Sequence, residues 1–239
     1  MHSSERYLIF DDRDYMLLNT DKRNVLHQLS VAFIKIKQTN DFSPLFDLIE
    51  ETSPSTAIHS RGVSVVARTL AQQAGLDEES TDLIALSGML HDIGKITIPD
   101  TVLNKAGPLT EEERQIMRSH AEMTFGILTA FSVQPRVMRW CAFHHERLNG
   151  TGYPFGLSGA FLDTGCRIMS ISDVFVAITE NRIYRKGMSA EEALAVMAFM
   201  VEKDNLDGRL FGLLKQDISR FNDARRNAQQ PRKNRFEAA

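Results

Sequence analysis

Leu83-Ile84-Ala85-Leu86-Ser87-Gly88-Met89-Leu90-His91-Asp92-Ile93-Gly94-Lys95 places a His-Asp pair at the end of an apolar run. Leu83, Ile84, Leu86, Met89 and Leu90 recur at helical spacing, so the segment is expected to bury one helix face. His91 and Asp92 then point inward with it. A buried carboxylate without a partner is costly, and a cation is a natural partner. Asp173 repeats the argument inside Ile168 to Ile178, where Ile168, Ile171, Val174, Phe175 and Ile178 keep the same spacing.

Five of the seven histidines join these two aspartates in one ordered set: His59, His91-Asp92, His120, His144-His145 and Asp173. Taken singly, His59 or His120 reads as an ordinary core or surface histidine. Taken together, the set holds enough imidazole and carboxylate for two metal ions. Imidazole nitrogen and carboxylate oxygen without thiolate suit Fe, Mn, Co, Ni or Zn. A structural zinc site would use cysteines at short spacing. Cys141 and Cys166 form no such pair and read as reduced, buried thiols. His2 and His27 stand outside the set.

The rest of the chain is helical in pattern. Thr110 with Glu113 fits a capping box, and Ser189 before Glu191 and Glu192 reads as a helix start. Two stretches interrupt the helices, Ile96 to Leu109 and Leu148 to Gly165. Both follow metal-type residues, and loops of that length in a compact domain are often functional, so both are expected at the rim of a site. Residues 1–55 are expected to add a short helical extension, packed on the main domain or serving a regulatory or dimerising role. Residues 56–221 carry the main domain, and the basic stretch 222–239 reads as a flexible tail.

A net charge of −3 argues against binding a nucleic-acid polymer through a basic surface. It leaves room for a small anionic substrate, because a metal site brings its own positive charge. The first ten residues lack the apolar core of a signal peptide, and Leu194 to Val201 is too short to span a bilayer. The expected location is the cytoplasm.

The sequences His91-Asp92-Ile93-Gly94-Lys95 and His144-His145-Glu146-Arg147-Leu148-Asn149-Gly150-Thr151-Gly152-Tyr153-Pro154 resemble those of the HD-GYP family of metal-dependent phosphodiesterases. The resemblance runs from about Ala57 to Phe221. It implies an all-α helical bundle of the HD superfamily and a binuclear site loaded with Fe or Mn, with Ni, Co or Zn as alternatives. His59, His91, Asp92 and Asp173 would hold one ion. Asp92 would bridge to a second, completed by His120, His144 and His145. Asp92 and Lys95 would be catalytic, with Lys95 neutralising phosphate oxygens. Gly152 and Tyr153 of the GYP loop, with Arg182, Tyr184 and Arg185, would contact a cyclic dinucleotide. The resemblance further suggests hydrolysis of cyclic di-GMP to pGpG or GMP. A homodimer and a signalling partner at the GYP loop are also expected.

Four positions depart from the family pattern. Ser55 stands where many members carry a Glu that supports a third metal, so two ions are expected here. Asn149 replaces an Asp, and Val176 replaces an Asp whose loss is expected to weaken substrate positioning. Ile183 replaces the proline of the Arg-Pro-Tyr-Arg element. These departures keep other readings open: an HD-type hydrolase of another cyclic dinucleotide or nucleotide, a slow nucleotide-binding signalling module, or a purely structural helical protein.

Overall fold

Two capping boxes fix helix starts where the sequence placed them. Thr110 Oγ1 accepts from Glu113 N at 3.2 Å, and Glu113 Oε2 accepts from Thr110 N at 2.7 Å. Ser189 and Glu192 repeat the exchange at 3.1 and 2.7 Å. Each box satisfies two backbone N–H groups that the first helical turn leaves unpaired.

The computed structural model describes residues 20–39, 41–181 and 186–230. They form α1 (Thr20–Thr39), α2 (Ser43–Thr52), α3 (Pro54–Gln73), α4 (Glu78–Leu90) and α5 (Asp100–Leu103). There follow α6 (Glu111–Ala130), α7 (Pro135–Ala142), α8 (Thr164–Thr179), α9 (Ala190–Glu202), α10 (Gly208–Gln216) and α11 (Ile218–Ala228). A 3-10 turn, Ile93–Thr97, follows α4. No strand occurs among the described residues, and the all-α architecture is the one the sequence implies.

Helix α3 is the hub. It packs along α4, α8 and α11, and α7 closes on both α4 and α8. Val63, Val66, Leu70, Ile84, Trp140, Ile168, Phe175 and Phe221 fill the core between them. A fully buried apolar side chain of this size contributes about 1.5–3 kcal/mol relative to exposure. Trp140 also satisfies its indole N–H, which donates to Asp163 Oδ1 at 2.8 Å.

A second core lies on the other side of α4. Leu26, Leu29 and Phe33 of α1 and Leu45 and Ile49 of α2 pack with Leu90, Ile93, Ile127 and Val137. Phe33 stacks on Phe131 with ring centroids 4.0 Å apart. Helices α1 and α2 therefore share a core with the segment that carries His91 and Asp92.

The C-terminal boundary differs from expectation. Residues 222–228, expected as the start of a flexible tail, continue α11. Phe221 and Arg225 are buried. The Arg225 guanidinium donates to Asn222 Oδ1 and Gln229 Oε1, which satisfies its charged head within the fold. No described helix is long and apolar enough to cross a membrane.

Candidate metal centre

Three histidines share one device. Nδ1 of His91 donates to Gly88 O at 2.9 Å, Nδ1 of His120 to Met117 O at 2.6 Å, and Nδ1 of His144 to Cys141 O at 2.5 Å. Each acceptor is the carbonyl three residues earlier. A carbonyl only accepts, so the ring proton sits on Nδ1 and a bare Nε2 lone pair turns inward. All three Nε2 atoms are buried and lack a hydrogen-bond partner. An orphaned buried polar atom costs about 1–3 kcal/mol, so three in one place mark a site built for a cation. Burial pushes the His144 imidazole down to about 3 and lowers that of His91. Burial likewise holds His145 well below its ordinary value. These rings are neutral, as metal ligands must be.

The two aspartates sit among them. Asp92 Oδ2 contacts Lys95 Nζ at 2.5 Å and lies 3.4 Å from His91 Nε2. Its Oδ1 faces His120 Nε2 at 3.2 Å and His144 Nε2 at 4.0 Å. The two oxygens thus look toward different imidazole groups. Burial alone would raise the Asp92 carboxyl, but the Lys95 charge and the imidazoles hold it well below the usual range. Asp173 Oδ1 lies 3.0 Å from His59 Nε2 and 3.8 Å from His91 Nε2, and its Oδ2 lies 3.6 Å from His145 Nδ1. Burial again opposes ionisation, but the hydrogen bond from His59 and the neighbouring imidazoles together hold the carboxyl well below the usual range.

The seven side chains come from five elements: α3, the α4 end, α6, the α7 end and α8. They fall into three overlapping groups whose ligand atoms lie within 4.8 Å of one another. These are His59, His91 and Asp173; His91, Asp92 and His144; and His120, His144 and His145. The donor set is nitrogen and oxygen only, and it fits divalent ions of the first transition row.

The cluster opens into a cleft of about 1410 Å³, lined by His59, Asp92, Lys95, His145, Tyr153 and Lys186 among others. That exceeds the roughly 300–1,000 Å³ of ordinary small-molecule pockets. Tyr153 lies over His145 with centroids 4.6 Å apart, and the Arg118 guanidinium sits 5.4 Å from the centre of the tyrosine ring. Burial raises the Tyr153 hydroxyl, which stays protonated at neutral pH. A Cβ on Gly152 would stand 2.4 Å from Glu146 Cα, so the loop reaches its place only with glycine there. Arg182, Tyr184 and Arg185, the remaining substrate contacts expected from the sequence, lie outside the described residues.

Three residues near the site were not singled out by the sequence. Glu146 is buried, and its carboxylate accepts from Phe155 N at 2.8 Å and Leu157 N at 2.9 Å, which pins the GYP loop. Thr124 accepts from Gly94 N and donates to His91 O, both at 3.0 Å. Glu180 contacts His59. Thr124 lies four residues after His120 and Glu180 seven after Asp173, and both spacings keep a residue on the same helix face. Glu146→Ala strands two backbone N–H groups and is expected to destabilise the protein by about 2–4 kcal/mol. Urea denaturation checks this, and an unchanged midpoint would contradict it.

The departures have structural readings. Ser55 lines the cleft. Asn149 Nδ2 donates to Lys203 O and Asn205 Oδ1, both at 2.9 Å, while its Oδ1 accepts from Thr151. An aspartate could not make the two donations. Val176 is fully buried in the core and does not line the cleft.

The sequence profile of the HD domain family matches residues 44–210. The chain is 35% identical over 175 residues to a 3′3′-cGAMP-specific phosphodiesterase of Vibrio cholerae, covering 73% of this chain and 41% of the relative. It is 40% identical over 144 residues to a cyclic di-GMP phosphodiesterase of Pseudomonas aeruginosa, covering 60% of this chain and 35% of that one. It thus spans less than half the length of these two relatives. The HD domain of the Listeria monocytogenes phosphodiesterase PgpH, solved with cyclic-di-AMP, superposes with a TM-score of 0.60. That match covers 80% of this chain and all of the other at 18% identity, and so speaks to the fold. With the His-Asp pair, the GYP loop and the helical bundle all present, this chain belongs to the HD domain family, in its HD-GYP form.

Proposed function

We propose that the chain is a metal-dependent phosphodiesterase that hydrolyses cyclic di-GMP to linear pGpG, GMP or both. The observation that carries this reading is the ring of three buried, unpartnered Nε2 atoms around Asp92. The names of the relatives support the substrate class. His59, His91, Asp92 and Asp173 would hold one ion, and Asp92, His120, His144 and His145 the other. The thiolate-free donors suit Fe, Mn, Co, Ni or Zn, and the family resemblance makes iron or manganese the preferred metal. Two such ions supply Lewis acidity at phosphorus and activate the attacking water.

The chain's own residues do the rest. Asp92 is ionised and offers one oxygen to each side of the cluster. Lys95 reaches the same point from the 3-10 turn and faces the cleft, where a phosphate oxygen would exchange for its contact with Asp92. Tyr153 walls the cleft above His145 and offers a face for a base. In the reaction a water oxygen forms the new bond to phosphorus. The 3′ oxygen leaves with its bonding pair and takes a proton, so one ester bond is lost and a 5′-phosphate is gained.

Lys95→Ala is expected to keep the metal and cut turnover about 10²–10³-fold, the usual loss for removing a group that stabilises transition-state charge. Metal analysis alongside initial rates checks this; unchanged kinetics would remove Lys95 from the phosphate. The 35% identity to a 3′3′-cGAMP-specific enzyme motivates a second reading, in which the hybrid dinucleotide is the substrate. Initial rates on cyclic di-GMP and 3′3′-cGAMP measured side by side decide between the two. Tight binding of either without product would favour a nucleotide-sensing module instead.

A further inference from the structure

His59 differs from His91, His120 and His144 in how it is held. No carbonyl of its own helix accepts its Nδ1–H. A carboxylate from another helix does: Glu180 Oε2, at 2.9 Å, buried at the end of α8. The opposite ring nitrogen faces Asp173 Oδ1 at 3.0 Å. Asp173 and Glu180 are two helical turns apart on one face of the same chain segment, so they grip the ring from both sides.

Glu180 is itself held from α11. Its Oε2 also accepts from Gln229 Nε2 at 3.2 Å. Gln229 Oε1 accepts from Arg225 Nη1 at 2.7 Å, and Arg225 is anchored to Asn222 Oδ1 at 2.9 Å. The same end of α11 is tied back to α3 by Arg61, whose Nε donates to Ala228 O at 3.2 Å. Arg61 also pairs with Glu50 of α2 at 3.1 Å. A continuous set of contacts therefore runs from the last described helix to a candidate ligand.

We infer that Glu180 is a positioning residue for His59, fixing its Nδ1–H tautomer and aiming Nε2 at the metal centre, with Gln229 holding Glu180 in place. A carboxylate only accepts, so Glu180 keeps a proton on Nδ1 and leaves Nε2, which faces Asp173 Oδ1, as the nitrogen that would give up its proton to a metal. Without Glu180 the ring is free to rotate or to exchange tautomers, and the ligand is no longer preset. Carboxylates placed behind metal-binding imidazoles commonly raise metal affinity by about 10–100-fold. This inference rests on reading the cluster as a metal centre.

The test is a titration of metal-free full-length protein with Co(II) alone, followed by visible absorption, with helix content checked by circular dichroism. Glu180→Ala is expected to weaken one equivalent of Co(II) by about 10–100-fold and to alter its absorption bands. Glu180→Asp keeps the charge but is one methylene too short, and is expected to behave like Glu180→Ala. Glu180→Gln keeps an acceptor in place and is expected to restore most of the affinity. Should Glu180→Ala lose its helical signal, Glu180→Asp and Glu180→Gln carry the comparison. Wild-type affinity and spectra in both Glu180→Ala and Glu180→Asp would overturn the role of Glu180. A wild-type protein that takes up no Co(II) would overturn the metal reading itself, a distinguishable failure.

Discussion

Asp92→Asn is expected to lower bound metal and phosphodiester hydrolysis together, each by at least about 100-fold, the upper end of what even an outer-shell change costs a metal site. The substitution preserves shape, so the loss isolates charge. Asp92 has two oxygens that face both halves of the cluster, His91 on one side and His120 with His144 on the other. It also neutralises Lys95. An amide offers a single acceptor oxygen and no charge, and its NH2 would confront Lys95 or an imidazole. The metal-free fold should survive, because the adjoining His91 and His144 rings are neutral and Lys95 is partly exposed and can swing to solvent. Elemental analysis and product formation on the same sample check the prediction. Full turnover by a metal-free Asp92→Asn protein would contradict the mechanism.

Gly94→Ala is expected to cost about 3 kcal/mol or more, near or above the upper end of ordinary overpacking. A Cβ at this position would stand 2.0 Å from His120 O and 2.7 Å from Thr124 N. Both obstacles are backbone of α6, so no side-chain rotation relieves the clash. Either the 3-10 turn or α6 must move. Moving α6 displaces His120, and it breaks the bonds by which Thr124 ties Gly94 N to His91 O. Stability and metal affinity should therefore fall together. A shift of this size corresponds to a melting temperature lower by about 6–12 °C for a domain of this length. An unchanged melting temperature would show that the crossing is looser than the structure places it.

The inward-facing ligands were legible because helical periodicity and chemistry pointed the same way. Asp173 interrupts an apolar face of α8 and His91-Asp92 ends one on α4; a buried carboxylate in such a place asks for a cation. Helix starts at Thr110 and Ser189 were equally legible, since a capping box is a local signal. Less legible was what covers each face. Val25 to Ile36 reads as amphipathic, yet nothing in the sequence names Leu90, Ile127 and Val137 as its partners. Periodicity states which side is apolar and is silent on what packs there. Residues 222–228 looked solvated because they are rich in charge; the long stem of Arg225 lets a charged residue pack inside, and its head is satisfied locally. Val176 was read for its missing charge, whereas its position in the core gives it a packing role. Glu180 and Thr124 could have been found by extending the helical spacing from Asp173 and His120 by seven and four residues.

The most direct test of the account is product analysis by chromatography on protein loaded anaerobically with Fe(II) or Mn(II) and incubated with cyclic di-GMP, with metal quantified in the same sample. The account predicts pGpG or GMP from the loaded protein and none after the metal is stripped. Intact cyclic di-GMP in the presence of confirmed metal, or equal hydrolysis in its absence, would contradict it.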